Sequence, residues 1–100
     1  MTKIKRYVDG ITDELNGAKH YIETALEYKA MGNGDRYNRY KEMSMQELNH
    51  AMALHDFAVQ DIEQLKTVYR EVPQKMMDAW DKSHVDFVEK TAWIRQMQAM

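Results

Sequence analysis

Apolar residues recur at helical spacing through three stretches of this sequence. The first covers about residues 3–31, the second begins near Asp35, and the third covers about 74–98, directly after the lone Pro73. Apolar positions three and four residues apart form one face of a helix, which is typical of amphipathic helices that pack on a shared core. We therefore predict an all-α fold, a three-helix antiparallel bundle that forms one domain over residues 1–100.

The connection between the first two helices is short and contains two glycines. Gly32 and Gly34 suit the end of a helix, because glycine adopts the left-handed conformation without strain, and Asp35 can cap the next helix. Helices joined by so short a connection lie antiparallel. Gly10 and Gly17, inside the first helix, predict close packing or a kink rather than a break.

Three polar residues fall where the helices should be apolar. With about 100° of turn per residue, Glu47 lies in the middle of the second helix's apolar arc and His50 about 60° to one side. Glu14 lies inside the apolar arc of the first helix. Residues equidistant from the turn of an antiparallel hairpin are level, and the midpoint of Glu14 and His50 is residue 32, in the turn. Because an unpaired carboxylate is costly to bury, we expect these side chains to meet around a strong donor or a metal ion.

Composition narrows the chemistry that these residues can carry. The chain has no cysteine, which excludes disulfides and thiolate metal sites, and its net charge of −2 argues against nucleic-acid binding through bulk electrostatics. No apolar run reaches the length of a membrane span or of a signal-peptide core, so we expect no membrane association and a cytoplasmic location. A chain of 100 residues buries a modest core, so we also expect self-association.

The polar positions resemble those of the ferritin-like di-iron proteins, a family that includes bacterioferritins, rubrerythrins and the short encapsulated ferritins. Glu14-x6-Tyr21 is similar to the family's first-helix motif, in which the glutamate is a terminal iron ligand and the tyrosine lies near the metals. Glu47-x-x-His50 is similar to the second-helix motif, in which the glutamate bridges two irons and the histidine binds one. The resemblance covers about residues 10–60. It implies metal ligands at Glu14, Glu47 and His50 and a catalytic role for Tyr21, which would tune the site or share electrons.

Full-length members of that family repeat the half-site on a third and a fourth helix, which this chain is too short to do. The resemblance therefore implies a site completed by a second copy, with four carboxylates and two histidines around two iron ions in a homodimer or a higher even homo-oligomer. Manganese or zinc can be held by the same ligands, and the general affinity order favours zinc over iron. The implied reaction is a ferroxidase-like oxidation of Fe(II) by dioxygen or peroxide.

A function of a different class fits the same residues. Short helical sequences associated with phages or prophages also resemble this chain, and such a protein would be a non-enzymatic structural or interaction protein with no metal site. Glu14 and Glu47 would then be neutralised by hydrogen bonds to tyrosines or to His50. The two functions predict different metal contents for protein purified without chelator.

A further histidine lies in the apolar stripe predicted for the third helix, which comprises Met77, Trp80, His84, Phe87, Val88 and Thr91. The midpoint of Asp61 and His84 is 72.5, at the second turn, so we expect a buried hydrogen bond between these two residues. The alternative is that His84 is a metal ligand within its own chain. His55 is expected at the boundary of the core. Trp93 projects away from the stripe, which suits a contact between subunits.

Overall fold

The computed structural model describes residues 2–69 and 71–100 and contains three long helices. Helix α1 spans Thr2–Ala30, α2 spans Gly34–Val68 and α3 spans Gln74–Gln98. Together they form a rod of 57 × 18 × 16 Å. The described parts of the chain contain no strand, and the predicted all-α, three-helix bundle is confirmed. None of these helices combines the length and the hydropathy that crossing a membrane requires.

The turn between α1 and α2 has a left-handed glycine, as predicted. Gly32 has φ 76°, and the following amide of Asn33 donates to the carbonyl oxygen of Tyr28 at 2.9 Å. The predicted cap of α2 is wrong by two residues, because the side chain of Asn33 accepts the hydrogen bond from the Arg36 amide at 3.1 Å. Asp35 lies in the first turn of α2 instead, where its negative charge interacts favourably with the positive end of the helix dipole.

The core follows the interface between α1 and α2. Its buried residues are Ile4, Ile11, Leu15, Ala18, Ile22 and Ala25 of α1 and Leu48, Ala51, Ala58 and Ile62 of α2. Alanines at fully buried positions of both helices allow the two backbones to approach closely. The buried hydroxyl of Ser44 donates to the carbonyl oxygen of Ala18 at 2.6 Å, which satisfies the one polar group that α2 buries there.

Helix α2 ends earlier than the position of Pro73 suggests. Its last residue is Val68, and Tyr69 is already extended, with φ −111° and ψ 137°. The residue before a proline is biased away from the helical region, so Val72 favours extended backbone and the connection begins ahead of it. Helix α3 starts at Gln74, directly after Pro73, as predicted.

Helix α3 runs antiparallel to α2 and packs with a stripe that overlaps the predicted one. Its C-terminal end lies at the first turn, where Lys29 of α1 donates to the carbonyl oxygen of Met100. Its buried residues are Met76, Trp80, Thr91 and Ile94. The predicted apolar stripe is correct in part, because Trp80 and Thr91 are buried and Met77 and Phe87 pack against the core. His84 is exposed and Val88 is 51% exposed, so the buried stripe is rotated relative to the predicted one. The reason is that α3 turns Met76 and Ile94 inward along α1 and leaves its side toward α2 open.

Trp93 lies on the outer side of α3, as predicted, and meets α1 at its edge. The ammonium nitrogen of Lys19 lies 4.8 Å from the centroid of the Trp93 ring, and the residue is 47% exposed. A subunit contact at Trp93 stays a prediction.

Candidate metal centre

Glu14, Glu47 and His50 meet in the hairpin formed by α1 and α2. One ligand atom from each side chain lies within 4.8 Å of the other two, and Glu14 Oε2 is 3.6 Å from His50 Nδ1. The prediction that the three residues are level is confirmed. The Glu14 side chain is 27% exposed and that of His50 is 61% exposed, so the cluster extends from the helix interface to the surface.

A glycine of α1 provides the space for the Glu47 carboxylate. A Cβ atom at Gly17 would lie 3.2 Å from Glu47 Oε2 and 3.7 Å from Glu47 Cγ. Gly10 lies two turns earlier and faces Leu54 in the same way, with a Cβ-to-Cδ1 distance of 3.1 Å. Both glycines mark close packing, as the sequence predicted, and neither breaks α1.

The two carboxyl groups perturb each other. The pKa of Glu47 is raised above its ordinary value, first by a hydrogen bond with Glu14, then by burial and by the negative charge of Glu14, while the charge of His50 acts in the opposite direction. A hydrogen bond between two carboxyl groups requires that one of them is protonated. The cluster therefore favours a bound proton or another cation over two free negative charges.

One oxygen of the cluster lacks a donor. Glu14 Oε2 is buried and has no hydrogen-bond partner among residues 2–69 and 71–100, because the His50 nitrogen at 3.6 Å is too far away. An oxygen of this kind is expensive to bury unless a proton or a metal ion satisfies it. Two carboxylates and one imidazole are ligands that suit iron, manganese and zinc. The residues present therefore fit the implied metal.

Tyr21 belongs to a row of aromatic rings that begins beyond the carboxylates. It lies seven residues after Glu14, about 10 Å along α1, and its ring centroid is 6.1 Å from that of Tyr40. Tyr40 stacks on Tyr28, with centroids 5.5 Å apart and an interplanar angle of 16°. Tyr40 lies seven residues before Glu47 and therefore on the same face of α2, as helical spacing predicts.

The cluster faces away from α3. Helical geometry places His50, Met43 and Phe57 on one flank of α2 and Ser44 and His55 on the other. The second flank meets α3, because Ser44 Oγ accepts from Gln98 Nε2 at 3.0 Å. On the first flank, Phe57 is 50% exposed and Met43 is also exposed. The imidazole of the cluster and two apolar side chains thus share a surface that no helix covers among the described residues.

The predicted pair of Asp61 and His84 is wrong. The carboxylate of Asp61 forms an ion pair with Lys3 Nζ at 3.2 Å, and burial followed by a hydrogen bond to Asp61 raises the pKa of Tyr7. Counting residues from the turn predicts the position of a residue along the helix axis, but not the side of the helix on which it lies. Asp61 lies on the flank of α2 that faces α1, so it cannot reach α3.

His84 is paired with another histidine. Its Nδ1 lies 2.8 Å from Nε2 of His55, and the His55 ring stacks on Phe87 with centroids 4.2 Å apart. His84 does not join the Glu14, Glu47 and His50 group. His55 is half-buried, at the edge of the core.

Comparisons of this chain with protein-family models, with curated proteins and with solved structures found no match.

Proposed function

We propose that this protein binds transition-metal ions through Glu14, Glu47 and His50, in a site that two copies of the chain share. The observation that carries this proposal is the buried Glu14 Oε2 without a hydrogen-bond donor, which lies 3.6 Å from His50 Nδ1. The three residues each offer a ligand atom within 4.8 Å of the other two. A bound cation satisfies that oxygen and removes the repulsion between the carboxylates.

The resemblance to ferritin-like proteins assigns two iron ions to the shared site, with manganese or zinc as other occupants. Glu14 would be a terminal ligand, Glu47 would bridge the ions and His50 would complete each half-site. Fe(II) held by these residues would be the substrate of the ferroxidase-like reaction that the resemblance implies, with dioxygen or peroxide as the oxidant. Tyr21, about two turns away from Glu14, is the proposed electron-sharing residue rather than a ligand.

The second copy is part of the proposal because one chain supplies three ligands on a half-open surface. The flank that carries His50 also carries the exposed Met43 and Phe57. A two-fold axis on that flank would set each of these residues near its own copy, since an isologous interface uses the same patch twice. It would cover apolar surface and bring six ligands together in one bundle core.

Metal titration combined with light scattering tests the proposal. We expect the parent to form a dimer or a higher even assembly that Fe(II) or Zn(II) stabilises by mass action. Glu47→Gln and His50→Ala should lose the stabilisation by Fe(II). His20→Ala is the matched control, because His20 is an exposed histidine of α1. A monomer with and without metal would remove the shared site, and a melting temperature that metal leaves unchanged would remove the metal site altogether.

The structural alternative is favoured by one observation, the raised pKa of Glu47. A proton shared with Glu14 would neutralise the pair without metal in a non-enzymatic helical protein, including one associated with a phage or prophage. Under that alternative, metal stabilises neither the parent nor Glu47→Gln. Under the metal proposal, Glu47→Gln is at least as stable as the parent in chelator, and the parent alone gains stability when Fe(II) is added.

A further inference from the structure

Two imidazoles from different helices face each other on the side of α2 opposite the Glu14 cluster. Nε2 of His55 lies 2.8 Å from Nδ1 of His84, and the ring centroids are 5.0 Å apart. One nitrogen donates and the other accepts, so both rings can be neutral in this pair. Neutral imidazole is the form of histidine that binds metal ions.

The surroundings hold the His55 ring in place and leave the His84 side open. His55 stacks on Phe87 at an interplanar angle of 13°, and its centroid lies 5.1 Å from that of Trp80. His84 is exposed, so water can reach the two facing nitrogens. Burial, and then the charge of His84, lowers the pKa of His55, which keeps this ring neutral at neutral pH.

We propose that His55 and His84 form a second metal site, which binds one divalent ion of the zinc and copper class and joins α3 to α2. Zinc binds imidazole nitrogen at about 2.0–2.1 Å, so two nitrogens on a tetrahedral ion lie about 3.3 Å apart. The observed distance of 2.8 Å between His55 Nε2 and His84 Nδ1 has to increase by about half an ångström. A small movement of the exposed His84 side chain is enough for this. The proton between the rings moves to an outer ring nitrogen, and water fills the remaining positions.

This site would matter because α3 has few other polar links to α2. Besides the histidine pair, the structure shows Arg95 Nη2 donating to Met52 Sδ at 3.2 Å and Gln98 donating to Ser44. A metal ion held by both helices would fix the open side of α3 directly. The site is independent of the proposed function, because it uses the opposite flank of α2 and shares no residue with the Glu14 cluster.

Zinc titration in a variant that lacks the first cluster tests the inference. The background is the double variant Glu47→Gln with His50→Ala, and we expect it to bind one Zn(II) per chain by calorimetry. Adding His84→Gln or His55→Ala should weaken that binding at least tenfold. His20→Ala in the same background should not change it. Glutamine at position 84 can keep a hydrogen bond to His55, so circular dichroism should show an intact helical fold.

Two further readouts distinguish a metal site from a simple hydrogen bond. Zn(II) should slow amide hydrogen exchange in α3 of the background variant and not in its His84→Gln derivative. Cu(II) bound to the background variant should show two nitrogen ligands by electron paramagnetic resonance. A background variant that binds no Zn(II), or Zn(II) binding that survives both histidine substitutions, would overturn the inference without affecting the proposal for Glu14, Glu47 and His50.

Discussion

The two faces of α2 are built from different interactions. The buried apolar residues of α2, which are Leu48, Ala51, Ala58 and Ile62, belong to the core that α2 shares with α1. The two helices pack so closely that a Cβ atom added at Gly10 or Gly17 of α1 would press on a side chain of α2. Toward α3, its hydrogen bonds are made by His55, Met52 and Ser44. The first interface is an apolar seam along most of the rod, and the second is a set of separate contacts beside an open side.

This difference determines what each interface can hold. Close apolar packing fixes the height of every residue along α1 and α2, so Glu14 and Glu47 are held together despite their mutual repulsion. The α2–α3 contacts leave side chains such as His84 and Val88 exposed, and groups there can shift. A site that needs fixed ligands therefore suits the first interface, and a site that opens to accept an ion suits the second.

The largest expected effect comes from removing apolar volume at the first interface. Leu15 is 1% exposed within the core, so Leu15→Ala should lower the free energy of unfolding by about 2–5 kcal/mol through lost burial and a cavity. Val88→Ala, on the open side of α3, should stay within about 0.5 kcal/mol. Chemical denaturation of both variants measures the contrast. Equal losses would show that the open side of α3 is packed in solution.

The same contrast explains which features of the site were predicted from the sequence. Glu14, Glu47 and His50 could be placed together because the periodicity of α1 and α2 is strong and their turn is short. Counting from that turn then gave the correct register. The glycines also signalled close packing, although their specific contacts with Glu47 and Leu54 depend on side-chain conformations that periodicity does not encode.

The pairing of α3 could not be predicted in the same way. The second connection begins after Val68, ahead of Pro73, and α3 packs along α1 with a rotated stripe. Asp61 and His84 are nearly equidistant from Pro73, which predicted that they form a pair. Asp61 instead lies on the other flank of α2 and forms an ion pair with Lys3. Where apolar burial is incomplete, the pattern of hydrophobic residues does not fix the rotation of a helix about its own axis. That rotation decides which polar side chains of neighbouring helices meet.

A smaller effect should separate the two glycines of α1. Alanine at position 17 would place Cβ 3.2 Å from Glu47 Oε2, so the carboxylate has to move by a few tenths of an ångström. We expect Gly17→Ala to weaken metal binding about tenfold, as the loss of a positioning contact does. Gly10→Ala, which meets Leu54 instead, is the matched control with the same gain in helix propensity of up to about 1 kcal/mol. Zn(II) titration compares them, and equal affinities would show that Gly17 does not position Glu47.

The smallest effect is the pH dependence of stability in chelator, to which Glu47 and His55, on the two flanks of α2, contribute differently. The raised pKa of Glu47 means that its charge destabilises the folded state at neutral pH, and this cost is relieved as the pH falls through the folded pKa toward the ordinary value of 4.5. Glu47→Gln should therefore be more stable than the parent at pH 7, and the difference should shrink toward pH 4.5. A difference that does not change with pH would mean that the Glu47 carboxyl is not perturbed.

His55 should show the opposite sign. Its pKa is lowered from 6.5, first by burial and then by the charge of His84, while Asp56 acts in the other direction. The unfolded chain then binds more protons than the folded one, so the parent loses stability as the pH falls below about 6.5, toward the folded pKa. His55→Gln cannot titrate but can still hydrogen-bond His84, so its stability should fall less than the parent's between pH 7 and pH 5. Thermal unfolding of both proteins in chelator across that range measures the difference. Parallel pH profiles would show that His55 has the same pKa in the folded and the unfolded chain, so that neither burial nor His84 perturbs it.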